Sequence, residues 1–179
     1  MRTDDLGQRD MYIDLTVTSF SAALLLPFAL PICLWGMWSD LNSMKIPNNA
    51  VLALASVFVI VGLFAVPLWP DYPMRLAALG IMLLVGIVIN AAGLMGAGDA
   101  KFIAAAAPFV APGDAMFLAF VFSANLLAAF VTHRFVKYTP LRAMAPHWES
   151  WERGKKFPMG FALWATLIIY LAAGVVLGA

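Results

Sequence analysis

Charge is what this sequence has least of. Only 12% of its 179 residues are Asp, Glu, Lys or Arg, where soluble domains carry about 25%. Too little polar sequence remains to dress a separate soluble domain. The net charge of +1, with no basic surface interleaved with aromatics, excludes a nucleic-acid partner. Cysteine is nearly absent as well. Cys33 stands alone, so neither an internal disulfide nor a CxxC zinc site can form, and it reads as a small hydrophobe in a helix. The two histidines, His133 and His147, are too far apart in sequence for a helical ligand pair. No metal and no other cofactor is expected.

What is there is apolar. Hydrophobic residues make up 63% of the chain, arranged in runs of membrane-spanning length, which predicts an all-α integral membrane protein of about six transmembrane helices. Residues 1–14 form a short polar tail, with Arg2 and Arg9 against Asp4, Asp5, Asp10 and Asp14. It lacks the positive start and short apolar core of a secretory signal. Residues 15–179 read as one polytopic domain, with spans near 15–38, 49–68, 75–94, 101–110, 115–136 and 158–177. Pro27 and Pro31 should kink the first span. Pro47 and Asn48 are suited to turning the chain and capping the second. At about 1.5 Å per residue the fourth falls well short of a ~30 Å bilayer core, so its neighbours must shield it or it is incomplete. Asn90 and Asn125 are expected to hydrogen-bond between helices.

Six spans alternate sides, which sorts the connections. One side receives Lys45, Lys101, Arg134, Lys137, Arg142, Arg153, Lys155 and Lys156, eight of the eleven basic residues; the other holds Arg2, Arg9 and Arg75. The positive-inside rule makes the first side cytoplasmic and puts both termini outside. Beyond the tail the acids are Asp40, Asp71, Asp99, Asp114, Glu149 and Glu152. Asp71 and Asp114 fall in the two outer turns, as exposed turn acids. Glu149 and Glu152 belong to the long basic connection and should be solvated.

Asp40 and Asp99 alone lie at helix ends on the cytoplasmic side. An Asp at mid-membrane costs about 2.5–3.5 kcal/mol even on a lenient scale, so an acid at a span's edge needs a reason. Read singly, Asp40 fits a turn and Asp99 the N-cap of the fourth helix. Together they fit a dyad. Two close carboxylates cannot both ionise readily, so they share a proton, and such a pair activates water on one side while protonating a scissile peptide on the other. Asp99 ends a glycine-rich break at 93–101, where Gly96 and Gly98 would allow positive φ angles and the close approach of a substrate strand. Lys101 would supply a counter-charge or mark the cytoplasmic end of a helix.

At these residues the sequence resembles the type IV prepilin peptidases, membrane aspartic proteases of the Gly-x-Gly-Asp kind. Asp40 followed by Lys45-Ile46-Pro47-Asn48 is similar to that family's first catalytic segment, and Gly96-Ala97-Gly98-Asp99-Ala100-Lys101 to its second. Lys156-Phe157-Pro158-Met159-Gly160 resembles the Pro-x-Gly element that opens the last helix. The resemblance implies Asp40 and Asp99 as the catalytic pair of an aspartic endopeptidase in the bacterial inner membrane. Gly96, Gly98, Lys101, Lys45, Pro47 and Asn48 would support them. It implies a prepilin or pseudopilin substrate, whose basic leader is cut from an apolar helix at the cytoplasmic face, after a small residue, for pilus assembly. The small peptidases of Flp-type tight-adherence pili resemble this chain most. Larger relatives carry paired CxxC motifs and also N-methylate the new amino terminus; with one cysteine, this chain gives that second activity no support.

Other classes fit less well. Presenilin-like proteases share Gly-x-Gly-Asp but add Tyr-Asp and Pro-Ala-Leu motifs, and here Ser39 precedes Asp40. A small transporter would place acids near the midplane and show an internal repeat, which is not found. A non-catalytic membrane subunit would tolerate loss of either Asp. The bilayer is the one partner composition alone demands, and no oligomeric state is specified.

Overall fold

The computed structural model describes residues 14–152 and 157–179. The tail's Arg2, Arg9, Asp4, Asp5 and Asp10 lie outside the described residues, as do Arg153, Lys155 and Lys156. Among the described residues seven α-helices follow in order: α1 Ser19–Ser43, α2 Asn48–Ala65, α3 Asp71–Ala91, α4 Ala97–Ala106, α5 Ala115–Lys137, the single turn α6 Glu149–Glu152, and α7 Met159–Leu177. Five segments, built on α1, α2, α3, α5 and α7, are long and apolar enough to cross a membrane.

The centre of the bundle is α1 against α7. The buried face of α1 runs Ala22, Leu25, Ala29, Cys33, Gly36, Asp40, a three- and four-residue spacing that makes one stripe down a helix. Small residues on that stripe let α7 approach closely, as membrane helices commonly do. A Cβ on Gly36 would fall within the indole of the fully buried Trp164, and one on Gly174 would meet Ala22 and Val17 at 2.9 Å. Asp40 occupies the next position of this stripe. It therefore points inward from the last turn of α1, which runs five residues past the expected end at 38, through Pro27 and Pro31 without a break.

The sixth pass is composite. Helix α4 has ten residues, followed by 3-10 turns at Ala107–Phe109 and Pro112–Asp114, and together they carry the chain from one end of the bundle to the other. Irregular backbone is tolerated at such depth only where protein satisfies it. Here Arg75 Nη1 donates to the carbonyls of Pro108 and Phe109, and the Ala111 N–H donates to the Tyr170 hydroxyl at 3.0 Å. Of the two alternatives for the short run, shielding is the one realised: Phe102, Ala104, Ala105 and Phe109 are all buried.

Three expectations need correction. Asp114 is no exposed turn acid. It is 3% exposed and accepts from the Thr16 N–H (2.6 Å), the Thr16 hydroxyl (2.7 Å), the Val17 N–H (3.0 Å) and the Tyr170 hydroxyl (2.7 Å). Asn90 does not bridge helices; its amide donates to the Met95 carbonyl within the glycine-rich break. Asn125 does, reaching the Ala162 carbonyl and the Thr166 hydroxyl on α7. Asn48 does not cap α2, since Pro47 holds the N-cap position and no side chain closes it. Glu152 is exposed, as expected, and pairs with Arg142 at the surface.

Candidate active site

Asp40 comes from the end of α1 and Asp99 from the first turn of α4, fifty-nine residues later. Both line one cavity of about 460 Å³ at the end of the bundle where α1 stops and α7 starts, close enough for each to influence the other's charge. Asp40 is 5% exposed; Asp99 is half-buried. The same cavity is lined by Lys45, Asn48, Gly96, Gly98, Lys101, Pro158 and Gly160. Pro47 is not in the lining. It sits between Ile46 and Asn48, setting the turn into α2.

Local structure explains how each acid is held. After Asp40, α1 closes on Met44 in the left-handed conformation (φ 53°), whose N–H donates to the Asp40 carbonyl at 2.9 Å. That reverses the chain and carries Ile46 under the cavity. The side chain of Asp40 meets the start of α7, where the Phe161 N–H donates to Oδ2 at 2.8 Å. This N–H is one of the free donors of a helix N-terminus, and the positive end of the α7 dipole adds to it. A Cβ on Gly160 would lie 2.9 Å from both Cγ and Oδ2 of Asp40, so the bare backbone there is what lets α7 reach the carboxylate.

On the other wall, Gly96 is the N-cap of α4, in extended conformation (φ −65°, ψ 143°). Neither Gly96 nor Gly98 adopts a positive φ, contrary to the expectation; among the described residues the one glycine that does is Gly93 (φ 74°), where the chain leaves α3. Space is the reason for the other two. A Cβ on Gly96 would meet Asp99 Oδ2 at 2.9 Å, and one on Gly98 would crowd Ile46 at 3.3 Å. Helix α4 is seated by Gly86 of α3, where a Cβ would touch that of Ala100 at 3.0 Å. Lys101 turns to Asn48, its Nζ donating to Oδ1 at 3.2 Å, and so ties α4 to α2.

Sequence reading gave no site role to Met44, or to Phe157 and Met159 within the Pro-x-Gly element, all of which line the cavity, since apolar side chains in an apolar chain carry little signal. It missed Phe161 because that contribution is a backbone N–H. Among the described residues no group of three His, Cys, Asp or Glu is placed to hold a metal ion. The arrangement is two carboxylates from different helices, open to a cleft and flanked by helix N-termini.

The model of the type IV leader peptidase family matches residues 27–133, a stretch that runs from within α1 through most of α5 and takes in the glycine-rich break and both acids. No curated protein and no solved structure matches the chain. With more than half of its length matched, the chain belongs to the type IV leader peptidase family.

Proposed function

We propose that the protein is an aspartic endopeptidase that cuts the basic leader from a prepilin or pseudopilin at the cytoplasmic face of the bacterial inner membrane. The observation that carries this is Asp40 and Asp99 facing one cleft at one end of a membrane bundle. In this reading Asp40, bonded by the Phe161 N–H, is the carboxylate, and Asp99 holds the shared proton. Asp40 takes a proton from water as its oxygen attacks the scissile carbonyl carbon, and Asp99 protonates the carbonyl oxygen. The tetrahedral diol then collapses. Its C–N bond breaks as the proton on Asp40 passes to the leaving amine, and Asp99 recovers its own. Sidedness is supported by charge among the described residues: Lys45, Lys101, Arg134, Lys137 and Arg142 lie toward the dyad end, against Arg75 at the other. The resemblance favours the Flp-pilus type, and the one cysteine of this sequence gives no support to N-methylation.

The test is cleavage by the purified protein, in lipid, of a peptide joining a basic leader to an apolar segment, with the new amino terminus read by mass spectrometry. One cut at the junction, with a rate that falls on both the acid and alkaline sides of an optimum, is expected of a proton-sharing pair. An intact peptide overturns the proposal. Gly160→Ala should keep the protein folded yet lower kcat by roughly tenfold or more, because the added methyl displaces the Asp40 carboxylate from its working position. Unchanged kcat would remove Gly160 from any positioning role.

A further inference from the structure

Beside the dyad cleft lies a second cavity, of about 530 Å³, which the chemistry above leaves unused. It runs between α5, the start of α7 and the connection after α5, and it shares Phe157 and Pro158 with the dyad cleft. Its lining on α5 extends from Val136 to Asn125, three turns or about 16 Å from the dyad end toward the middle of the bundle. The walls are apolar and aromatic, with Ala129, Trp148, Trp151 and Phe161 prominent.

Among its few polar groups, which include Asn125 and Thr132, two nitrogens stand unpaired. His133 and Trp148 both line the cavity, and His133 Nε2 and Trp148 Nε1 are buried without a hydrogen-bond partner. His133 is 8% exposed, its ring stacked on Trp151. Buried polar atoms in native proteins are nearly always paired, so this cavity suits a ligand with apolar bulk and polar groups of its own. A lipid acyl chain brings bulk but nothing for either nitrogen. An intact helix has already spent its backbone groups on itself. An unwound apolar peptide brings both, and the stretch beside a scissile bond has to be unwound to be cut.

We propose that this cavity is the subsite for substrate residues just on the membrane side of the scissile bond. It takes a bulky apolar side chain there, while His133 Nε2 and Trp148 Nε1 bond to the backbone of the unwound stretch. The assignment rests on the leader-peptidase reading.

The test uses the full-length protein in lipid nanodiscs and leader peptides differing only in the first residue after the cut, Ala against Leu or Phe. The wild type should favour the bulky residues by roughly tenfold or more in kcat/KM. Ala128→Phe fills the cavity from an exposed position of α5, so the fold is not at risk, and it should bring that ratio close to one. Trp148→Phe removes the N–H while keeping an aromatic six-membered ring, and should raise KM severalfold with kcat little changed. A wild type that cleaves all three peptides equally well overturns the subsite and leaves the peptidase standing. So does an Ala128→Phe variant that keeps the preference, or one whose only change is fewer co-purifying phospholipids or a different oligomeric mass. A wild type that cuts none of the peptides removes the peptidase reading itself, and the subsite with it.

Discussion

Asp40→Asn and Asp99→Asn should each leave the chain inserted and folded while slowing leader cleavage by roughly 10²- to 10⁴-fold, the range for loss of one acid–base group. The two changes test different halves of one step. An amide at position 40 still accepts the Phe161 N–H through its oxygen, so the contact that fixes α7 against α1 survives. What is lost, on the proposed mechanism, is the capacity to take a proton from water. Asp99 is half-buried in the first turn of a helix, a site where an amide costs little stability, so its loss should register in kcat rather than in the amount of folded protein. The double variant should be hardly slower than either single one, because two groups acting as one unit are not additive. Processing of a co-expressed prepilin, with membrane-fraction yield as the control for folding, reads all three. Normal cleavage in either single variant would overturn the dyad. A membrane subunit or a carrier would pass this test with processing unaltered.

The elements that built the site were legible to different degrees, for physical reasons. Long apolar runs and the bilayer's thickness leave few options, so α2, α5 and α7 begin and end within a few residues of expectation. Asp40 and Asp99 stood out because a carboxylate at a span's edge is costly. The stripe from Ala22 through Gly36 to Asp40 was also written in the spacing, and reading it would have placed Asp40 inside α1 rather than after it. Backbone geometry was not legible. Nothing in the side chains distinguishes the positive φ of Gly93 from the negative one of Gly96, or announces that the Phe161 N–H meets a carboxylate 121 residues away in sequence. The Pro-Gly-Asp run at 112–114 misled for a related reason. The same residues serve a solvated turn and a buried one, and only the tertiary partners decide between them.

Asp114→Ala should accordingly be the substitution most damaging to stability, at about 2–4 kcal/mol, and the least damaging to the chemistry of protein that remains folded. Four donors converge on this one carboxylate, from Thr16, Val17 and Tyr170. Water can replace it at the exposed Thr16 but not at the buried Val17 N–H or the fully buried Tyr170 hydroxyl. Unsatisfied buried donors cost about 1–3 kcal/mol each. The buried Arg75 guanidinium, on which the charges of Asp71 and Asp114 both act, would also lose a balancing charge. Position 114 joins the start of the described chain to α5 and α7 at the bundle end opposite the dyad, so its loss should loosen the helix termini rather than the cleft. Thermal unfolding in detergent should show a clear drop in Tm for Asp114→Ala and a smaller one for Asp114→Asn, which keeps one acceptor oxygen. The kcat of the surviving folded fraction should match the wild type. A Tm within error of the wild type would mean that the cluster is not holding the bundle together, and a selective loss of kcat would mean that the two ends are coupled through α7.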